Sequence, residues 1–261
     1  MPAQLFSHWL EVEGRLRVAL GLFLMLDYDG TLTPIVNRPE EAKLSEETRK
    51  LLSSIVKAGR WVKVAIISGR PLNQLKKLIG IDGIYYAGLH GLEVEGPGVS
   101  FIHAKAEKLR KVIGEIHREL IQAFAGMKGI MVEDKGLSIA IHYRLAPKGG
   151  GRAVSKALSF IMSLRSGFRV LKGKKVYELM PDVDWDKGRA ALYLIEATGT
   201  REYTPIYIGD DETDEYAFKA LAPRGLTIVV GRKKRSLAKF YVKGVNEVHE
   251  LLRRINRLVS M

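Results

Sequence analysis

The sequence predicts an α/β fold: a three-layer core around a parallel sheet, interrupted by an inserted α+β unit. Three observations lead there. The chain has 261 residues, enough for one large domain or one domain with a sizeable insert. Towards both ends, short apolar runs that stop at polar residues alternate with helical periodicities. That is the pattern of strands buried on both faces by crossover helices. In the middle the order changes to helix, hairpin, helix, hairpin, which belongs to an antiparallel α+β unit. The expected division is a discontinuous core, residues 1–103 and 183–261, and an insert at 104–182.

Taken in order, Leu20–Leu26 is a continuous apolar run and the first core strand. Ser45 caps a helix that has Glu46 and Glu47 in its first turn, Leu51, Leu52, Ile55 and Val56 as its stripe, and Gly59 at its end. Val62–Ile67 is a second strand, followed by "SGRP", where Pro71 opens the next helix as its first residue. "IYYAG" at 84–88 is a third strand. Within the insert, Ala104–Ala125 reads as a helix. "IMVEDKGLSIAIHYR" at 130–144 forms two strands about a turn near Lys135 and Gly136. Gly149–Gly151 reads as a flexible joint, Ala153–Leu164 as a helix and "FRVLKGKKVYELMP" at 168–181 as a second hairpin. The core resumes with a helix over Lys187–Thr198, a strand in "PIYIGDD" at 205–211, a helix over Thr213–Leu221 and a strand in "GLTIVVG" at 225–231.

Composition narrows the function classes. Hydrophobic residues make up 46% and charged residues 27%, ordinary for a globular protein. Cysteine is absent, which excludes a disulfide framework, a thiolate metal site and a thiol nucleophile, and fits a reducing, cytoplasmic setting. The net charge is +13, and its local clusters are short, "KGKK" at 172–175 and "GRKKR" at 231–235, without interleaved aromatic residues. They read as solvated faces that steer anions, not as a nucleic-acid platform. No apolar run reaches the roughly 18 residues that a membrane span needs. The run at 16–26 ends in "DYDG" with no small-residue cleavage site, so no signal peptide is expected. The sequence specifies no oligomeric state and is compatible with a monomer.

Ligands of open parallel sheets sit outside the carboxyl ends of the strands. Three such ends carry polar groups: Asp27 and Asp29, then Ser68, then Asp210, Asp211 and, one turn on, Asp214. Lys187 opens the helix before the third. This set suits phosphoryl transfer. Asp27 can serve as nucleophile, Asp29 as general acid and base, Ser68 as a donor to a phosphoryl oxygen and Lys187 as the countercharge. Asp27, Asp210 and the backbone carbonyl of Asp29 offer the all-oxygen shell that Mg2+ prefers, with Asp211 and Asp214 as supporting or capping groups.

"DYDGTL", "SGR", Lys187 and "GDDETD" resemble, in order, the four signature motifs of the haloacid-dehalogenase (HAD) superfamily of phosphatases. More narrowly, Tyr28 in "DYDGTL", "GLHGLE" at 88–93, "GDDETDE" at 209–215, and "VEDK", "HYR" and "YELMP" in the insert resemble the trehalose-6-phosphate phosphatases. The resemblance implies a HAD-like Rossmannoid core with a C2-type cap, Mg2+ as cofactor, a sugar phosphate as substrate and an aspartyl-phosphate intermediate.

Strand alternation puts Leu137, Ile139, Ile141 and Tyr143 on one face of the insert and Ser138, Ala140, His142 and Arg144 on the other. Glu133 and Lys135 share a face of the partner strand, and Glu178 belongs to the other hairpin. The resemblance makes Glu133, Lys135, Arg144 and Glu178 the sugar-holding set. It adds Arg70 and His90 to the substrate-binding candidates, although the simplest reading of His90 and His142 is as hydrogen-bonded structural residues. His8 and His249 show no partner in the sequence. Two alternatives stay open: a related phosphatase acting on sucrose phosphate or a phosphorylated glycoside, and a basic nucleic-acid-binding protein on a phosphatase scaffold. The second requires missing catalytic residues, and none is missing. A phosphomutase would need an additional arginine pair in the insert, which the sequence lacks.

Overall fold

The computed structural model describes every residue except Asn37, Lys234 and Met261. The chain divides into two compact units, Met1–Phe101 with Trp185–Met261, and Ile102–Asp184. In chain order the elements begin with β1 (Ala3–Gln4), α1 (Trp9–Arg17), β2 (Leu22–Leu26), α2 (Glu46–Lys57), β3 (Val62–Ile67), α3 (Leu72–Ile79), β4 (Tyr85–Gly88), β5 (Glu93–Gly96) and β6 (Val99–Ile102). Next come α4 (Ala104–Ala123), β7 (Met131–Asp134), β8 (Ile139–His142), α5 (Gly150–Leu164), β9 (Phe168–Gly173) and β10 (Val176–Pro181). The chain ends with α6 (Lys187–Ala197), β11 (Thr204–Gly209), α7 (Asp214–Leu221), β12 (Leu226–Val230), β13 (Phe240–Val242) and α8 (Val245–Val259).

In the first unit the described strands form one sheet in the order β1-β13-β12-β11-β2-β3-β4-β5-β6. It is parallel from β1 to β4, and β5 returns antiparallel to β4. Every residue of β2 is buried. Alternation sends Leu22, Leu24 and Leu26 into a core with Leu52 and Ile55 of α2 and Leu251, Leu252 and Ile255 of α8. Phe23 and Met25 face the opposite core, with Ala191, Leu194 and Ile195 of α6 and Ala217, Phe218 and Leu221 of α7. Helices on both faces of a buried parallel sheet give the expected three layers.

The helix ends follow capping chemistry. The Ser45 hydroxyl accepts from the Thr48 amide at 3.1 Å, and Asp186 Oδ1 accepts from the Arg189 amide at 2.9 Å at the start of α6. Pro71 stands at the N-cap of α3 instead of inside its first turn, in an extended conformation. Leu20 lies outside β2 and is exposed. The elements β1, α1, β5, β6, β13 and α8 are additions to the expected set.

The second unit is a four-stranded antiparallel sheet in the order β7-β8-β10-β9. Ile139 and Ile141 of β8 and Leu179 of β10 pack with Ile113, Ile116 and Leu120 of α4 and with Val154, Leu158 and Ile161 of α5. Gly149–Gly151 is not a joint. Gly149 is the N-cap of α5, and Gly150 and Gly151 form its first turn, recruited by the apolar stripe that follows. No described helix is long and apolar enough to cross a membrane.

Candidate active site

The Asp27 amide donates to the Ile208 carbonyl at 2.9 Å, and the chain then turns away from the sheet. Alternation continues past the strand, so Asp27 and Asp29 point one way and Tyr28 the other. Tyr28 is fully buried and its hydroxyl donates to the Ala42 carbonyl at 2.7 Å. Burial pushes the Tyr28 phenol up to about 12. Gly30 takes a φ of 85°. A β-carbon there would lie 2.3 Å from Asp210 Oδ2, so only glycine lets the two acidic loops approach this closely.

Lys187 stands between two carboxylates. Its Nζ donates to Asp27 Oδ1 and to Asp214 Oδ1, each at 2.7 Å. Burial works against the Lys187 charge, but the Asp214 and Asp27 charges overcome it and raise its value above that of an ordinary lysine. Burial pushes the Asp27 carboxyl well above the usual carboxylate range against the pull of Lys187, and the charges of Asp214 and Asp210 add to the rise. The Asp210 carboxyl is pushed up to about 7, first by burial and then by Asp214 and Asp211.

Asp27, Asp210 and Asp214 each offer an oxygen, all within 4.8 Å of one another. Asp214 is already engaged: Oδ1 accepts from Lys187 and from the Tyr207 hydroxyl at 2.8 Å, and Oδ2 accepts from the Asp211 amide at 2.9 Å. Asp210 Oδ1, by contrast, is buried with no hydrogen-bond partner. An orphaned carboxylate oxygen beside a second buried carboxylate fits a hard dication, with Asp27 and Asp210 as the oxygens to hold it and Asp214 as the prop for Lys187. Asp211 is exposed, and its Oδ1 accepts from the Glu212 amide at 2.7 Å.

Ser68 and Arg70 come from the loop after β3. The Arg70 guanidinium forks onto Asp29, Nε to Oδ2 at 2.6 Å and Nη2 to Oδ1 at 2.7 Å, with its Cζ 5.3 Å from the Tyr28 ring centre. Arg70, expected among the substrate contacts, thus orients the second acid. His90 donates its backbone amide to the Ser68 carbonyl at 2.9 Å, and its ring packs against Gly69.

In the second unit, Glu133, Ala140 and Glu178 form one cross-strand row. His142 and Glu133 share a 2.8 Å hydrogen bond. Glu178 Oε1 accepts from Ser138 Oγ at 2.7 Å and from Lys135 Nζ at 3.3 Å. Burial opposes the Glu133 charge, but the His142 bond and the Lys135 charge outweigh it and hold the carboxyl below its usual value. This polar face therefore joins three of the four expected residues. The ladder of β8 ends at His142, and Arg144 falls in the turn beyond, exposed, where Nη2 donates to the Lys174 carbonyl at 3.3 Å.

Residues 25–246 match the profile of the trehalose-phosphatase family. The chain belongs to that family. Among its relatives, a "probable trehalose-phosphate phosphatase D" of Arabidopsis thaliana is 33% identical over 249 residues, a match covering 90% of this chain and 67% of the plant protein. The crystal structure of a trehalose-6-phosphate phosphatase related protein superposes with a TM-score of 0.79 at 27% identity, covering 90% of this chain and 97% of that one. A haloacid dehalogenase-like hydrolase from Bacteroides thetaiotaomicron, 19% identical, shares the fold with a TM-score of 0.59, covering 90% of this chain and 99% of that one. The HAD-like core expected from the motifs is thereby established.

Three further residues of this trehalose-phosphatase family member bond to the candidate groups, Tyr207 and Lys233 within the first unit and Ser138 within the second. Tyr207, fully buried on β11, supports Asp214. Ser138 bonds to Glu178. Lys233 reaches back to donate to the Asp210 carbonyl. It belongs to the "GRKKR" run, which is therefore more than a solvated face; Lys234 of that run lies outside the described residues. His249 and His8 do have partners. His249 bonds to Thr48 Oγ1 at 3.0 Å, and the His8 ring contacts Phe240.

Proposed function

We propose that this protein is a Mg2+-dependent phosphatase that hydrolyses trehalose 6-phosphate to trehalose and phosphate through an aspartyl phosphate on Asp27. The observation that carries this reading is the buried Asp27–Lys187–Asp214 chain beside the orphaned oxygen of Asp210. It sits at the carboxyl ends of the central parallel strands, in a chain of this family.

An Asp27 oxygen attacks phosphorus as the bond from phosphorus to the sugar oxygen breaks. Asp29, oriented by Arg70, delivers a proton to the departing sugar oxygen. Water then attacks the same phosphorus, Asp29 takes its proton, and the bond between Asp27 and phosphorus breaks. Ser68 donates to a phosphoryl oxygen, and Lys187 offsets the charge that gathers there. Asp27, Asp210 and the backbone carbonyl of Asp29 would hold Mg2+, which when bound neutralises charge between the nucleophile and the phosphate. Glu133, Lys135, Arg144 and Glu178, with Ser138 and His142 as supports, are assigned to the sugar hydroxyls.

The test is phosphate release from a panel of sugar phosphates with and without Mg2+. Trehalose 6-phosphate should be the preferred substrate and chelation should stop turnover. A preference for sucrose phosphate or another phosphorylated glycoside would keep the chemistry and overturn the sugar assignment.

A further inference from the structure

The loop that carries Ser68 is clasped from one side. Its last sheet bond is the Ser68 amide to the Ala87 carbonyl at 2.9 Å. Beyond that, the turn at 88–92 supplies two donors in succession: the Leu89 amide to the Arg70 carbonyl and the His90 amide to the Ser68 carbonyl, both at 2.9 Å. To present them, the turn runs through three residues of positive φ, Leu89 at 52°, His90 at 59° and Gly91 at 95°. Two of these carry a β-carbon, for which the left-handed region is costly. Such a conformation persists only where its surroundings over-determine it, and it clusters at sites that use it.

What holds the turn comes from the segment that opens α6. Trp185 Nε1 donates to the Gly91 carbonyl at 2.8 Å, and a β-carbon at Gly91 would lie 2.2 Å from Ala190 Cβ. The indole is itself fixed: it stacks on Phe101 at 5.1 Å and 26°, and Tyr193 closes the group at 4.5 Å from Phe101. Trp185 stands two residues before Lys187. One N–H···O bond therefore ties the segment of Lys187 to the turn that clasps Ser68.

We propose that Trp185 is a positioning residue: by holding the Gly91 carbonyl, its indole N–H keeps the Ser68–Arg70 loop in register with Lys187. This rests on the reading of Ser68 and Lys187 as the groups that hold the phosphate. Without the tether the strained turn has lower-energy conformations to relax into, and the two groups lose their common geometry.

Two variants test it. Trp185→Phe keeps an aromatic ring in the stack and removes the donor. Replacement of Trp185 by benzothienylalanine keeps the indole shape with sulfur in place of N–H, and guards against a phenylalanine variant that folds poorly. The readouts are kcat and KM for p-nitrophenyl phosphate, the inhibition constant of inorganic phosphate, and Tm. Both variants should lower kcat about tenfold and weaken inorganic phosphate by a similar factor, in line with the loss of one hydrogen bond. In a Ser68→Ala background, Trp185→Phe should weaken inorganic phosphate by less than about a further twofold, because the loop it positions no longer carries its phosphate donor. Full additivity with Ser68→Ala, or a lower Tm with kcat and phosphate inhibition unchanged, assigns Trp185 a purely structural role and overturns the inference. A wild-type protein that neither hydrolyses phosphomonoesters nor binds phosphate overturns the phosphatase reading first, and this inference with it.

Discussion

Lys187→Met removes the cation that stands between two buried carboxylates and leaves a side chain of similar length. In the wild type the Lys187, Asp27 and Asp214 side chains are 2%, 6% and 0% exposed. Solvent cannot replace the lost ammonium there. Removing one partner of a buried ion pair costs about 3–5 kcal/mol, against roughly 0–1 kcal/mol for a surface pair. For a chain of this size each kcal/mol moves Tm by about 2–4 °C. The metal-free variant should therefore melt about 6–20 °C below wild type, whereas Arg253→Met, which breaks the exposed pair with Glu47, should change Tm little.

The pH dependence has a definite sign. Because its value is raised, Lys187 contributes its full stabilisation below the ordinary lysine value, hence throughout pH 5–8. Asp27 is raised too, so stability tied to its proton is present below the usual carboxylate range and is lost as pH rises through its folded value. The variant should thus recover stability as pH falls from 8 to 5, and Lys187→Met with Asp214→Asn should recover part of the loss at pH 8. Calorimetry and urea unfolding without divalent cations measure all of this. A loss below about 1 kcal/mol, independent of pH and of Asp214, would refute the buried-pair argument.

Other expectations are as direct. Asp27→Asn should abolish phosphate release while circular dichroism stays native, since an amide is a poor nucleophile; near-normal turnover would remove the covalent mechanism. With Asp210 raised to about 7, Mg2+ competes with a proton there, so the rise in Tm on adding Mg2+ should be larger at pH 8 than at pH 6. An equal rise at both would take Asp210 out of the metal site. Glu133→Ala, Lys135→Ala, Arg144→Ala and Glu178→Ala should each lower kcat/KM for trehalose 6-phosphate about ten- to a hundred-fold and leave p-nitrophenyl phosphate hydrolysis near wild type. Equal losses on both substrates would make these residues structural.

Much of the architecture was legible because burial on both faces writes long apolar runs. The expected Val62–Ile67 matches β3 to the residue, and the expected helices match α2, α6 and α7 to within one or two at their ends. Strands of two or three residues, β1 and β13, are too short to show a period. The amphipathic stripe of α8, Val248, Leu251, Leu252 and Ile255, is present in the sequence but follows no motif that marks it as part of the core. In the site, the carboxylates were legible because paired acids at an apolar strand end have no bland explanation. Tyr207 and Lys233 were not, because a tyrosine in a strand and a lysine in a basic run look ordinary until the fold brings them to Asp214 and to the Asp210 carbonyl. The sequence places Arg70 at the site, but spacing along the chain does not show that its fork meets Asp29.

The pairing of the central strands acts as a ruler. Leu26 is level with Ile208 on one side and with Ile66 on the other, so the chain reaches Asp27, Gly209 and Ile67 at the same height, and the reactive groups follow within one or two residues. One residue inserted into β2 ahead of Leu24 would exchange the faces of Leu24 and Met25 and carry Asp27 towards the place of Tyr28. The count of residues from Leu22 to Asp29 is therefore fixed, because any change in it would bring the wrong side chain to the level of Gly209 and Ile67.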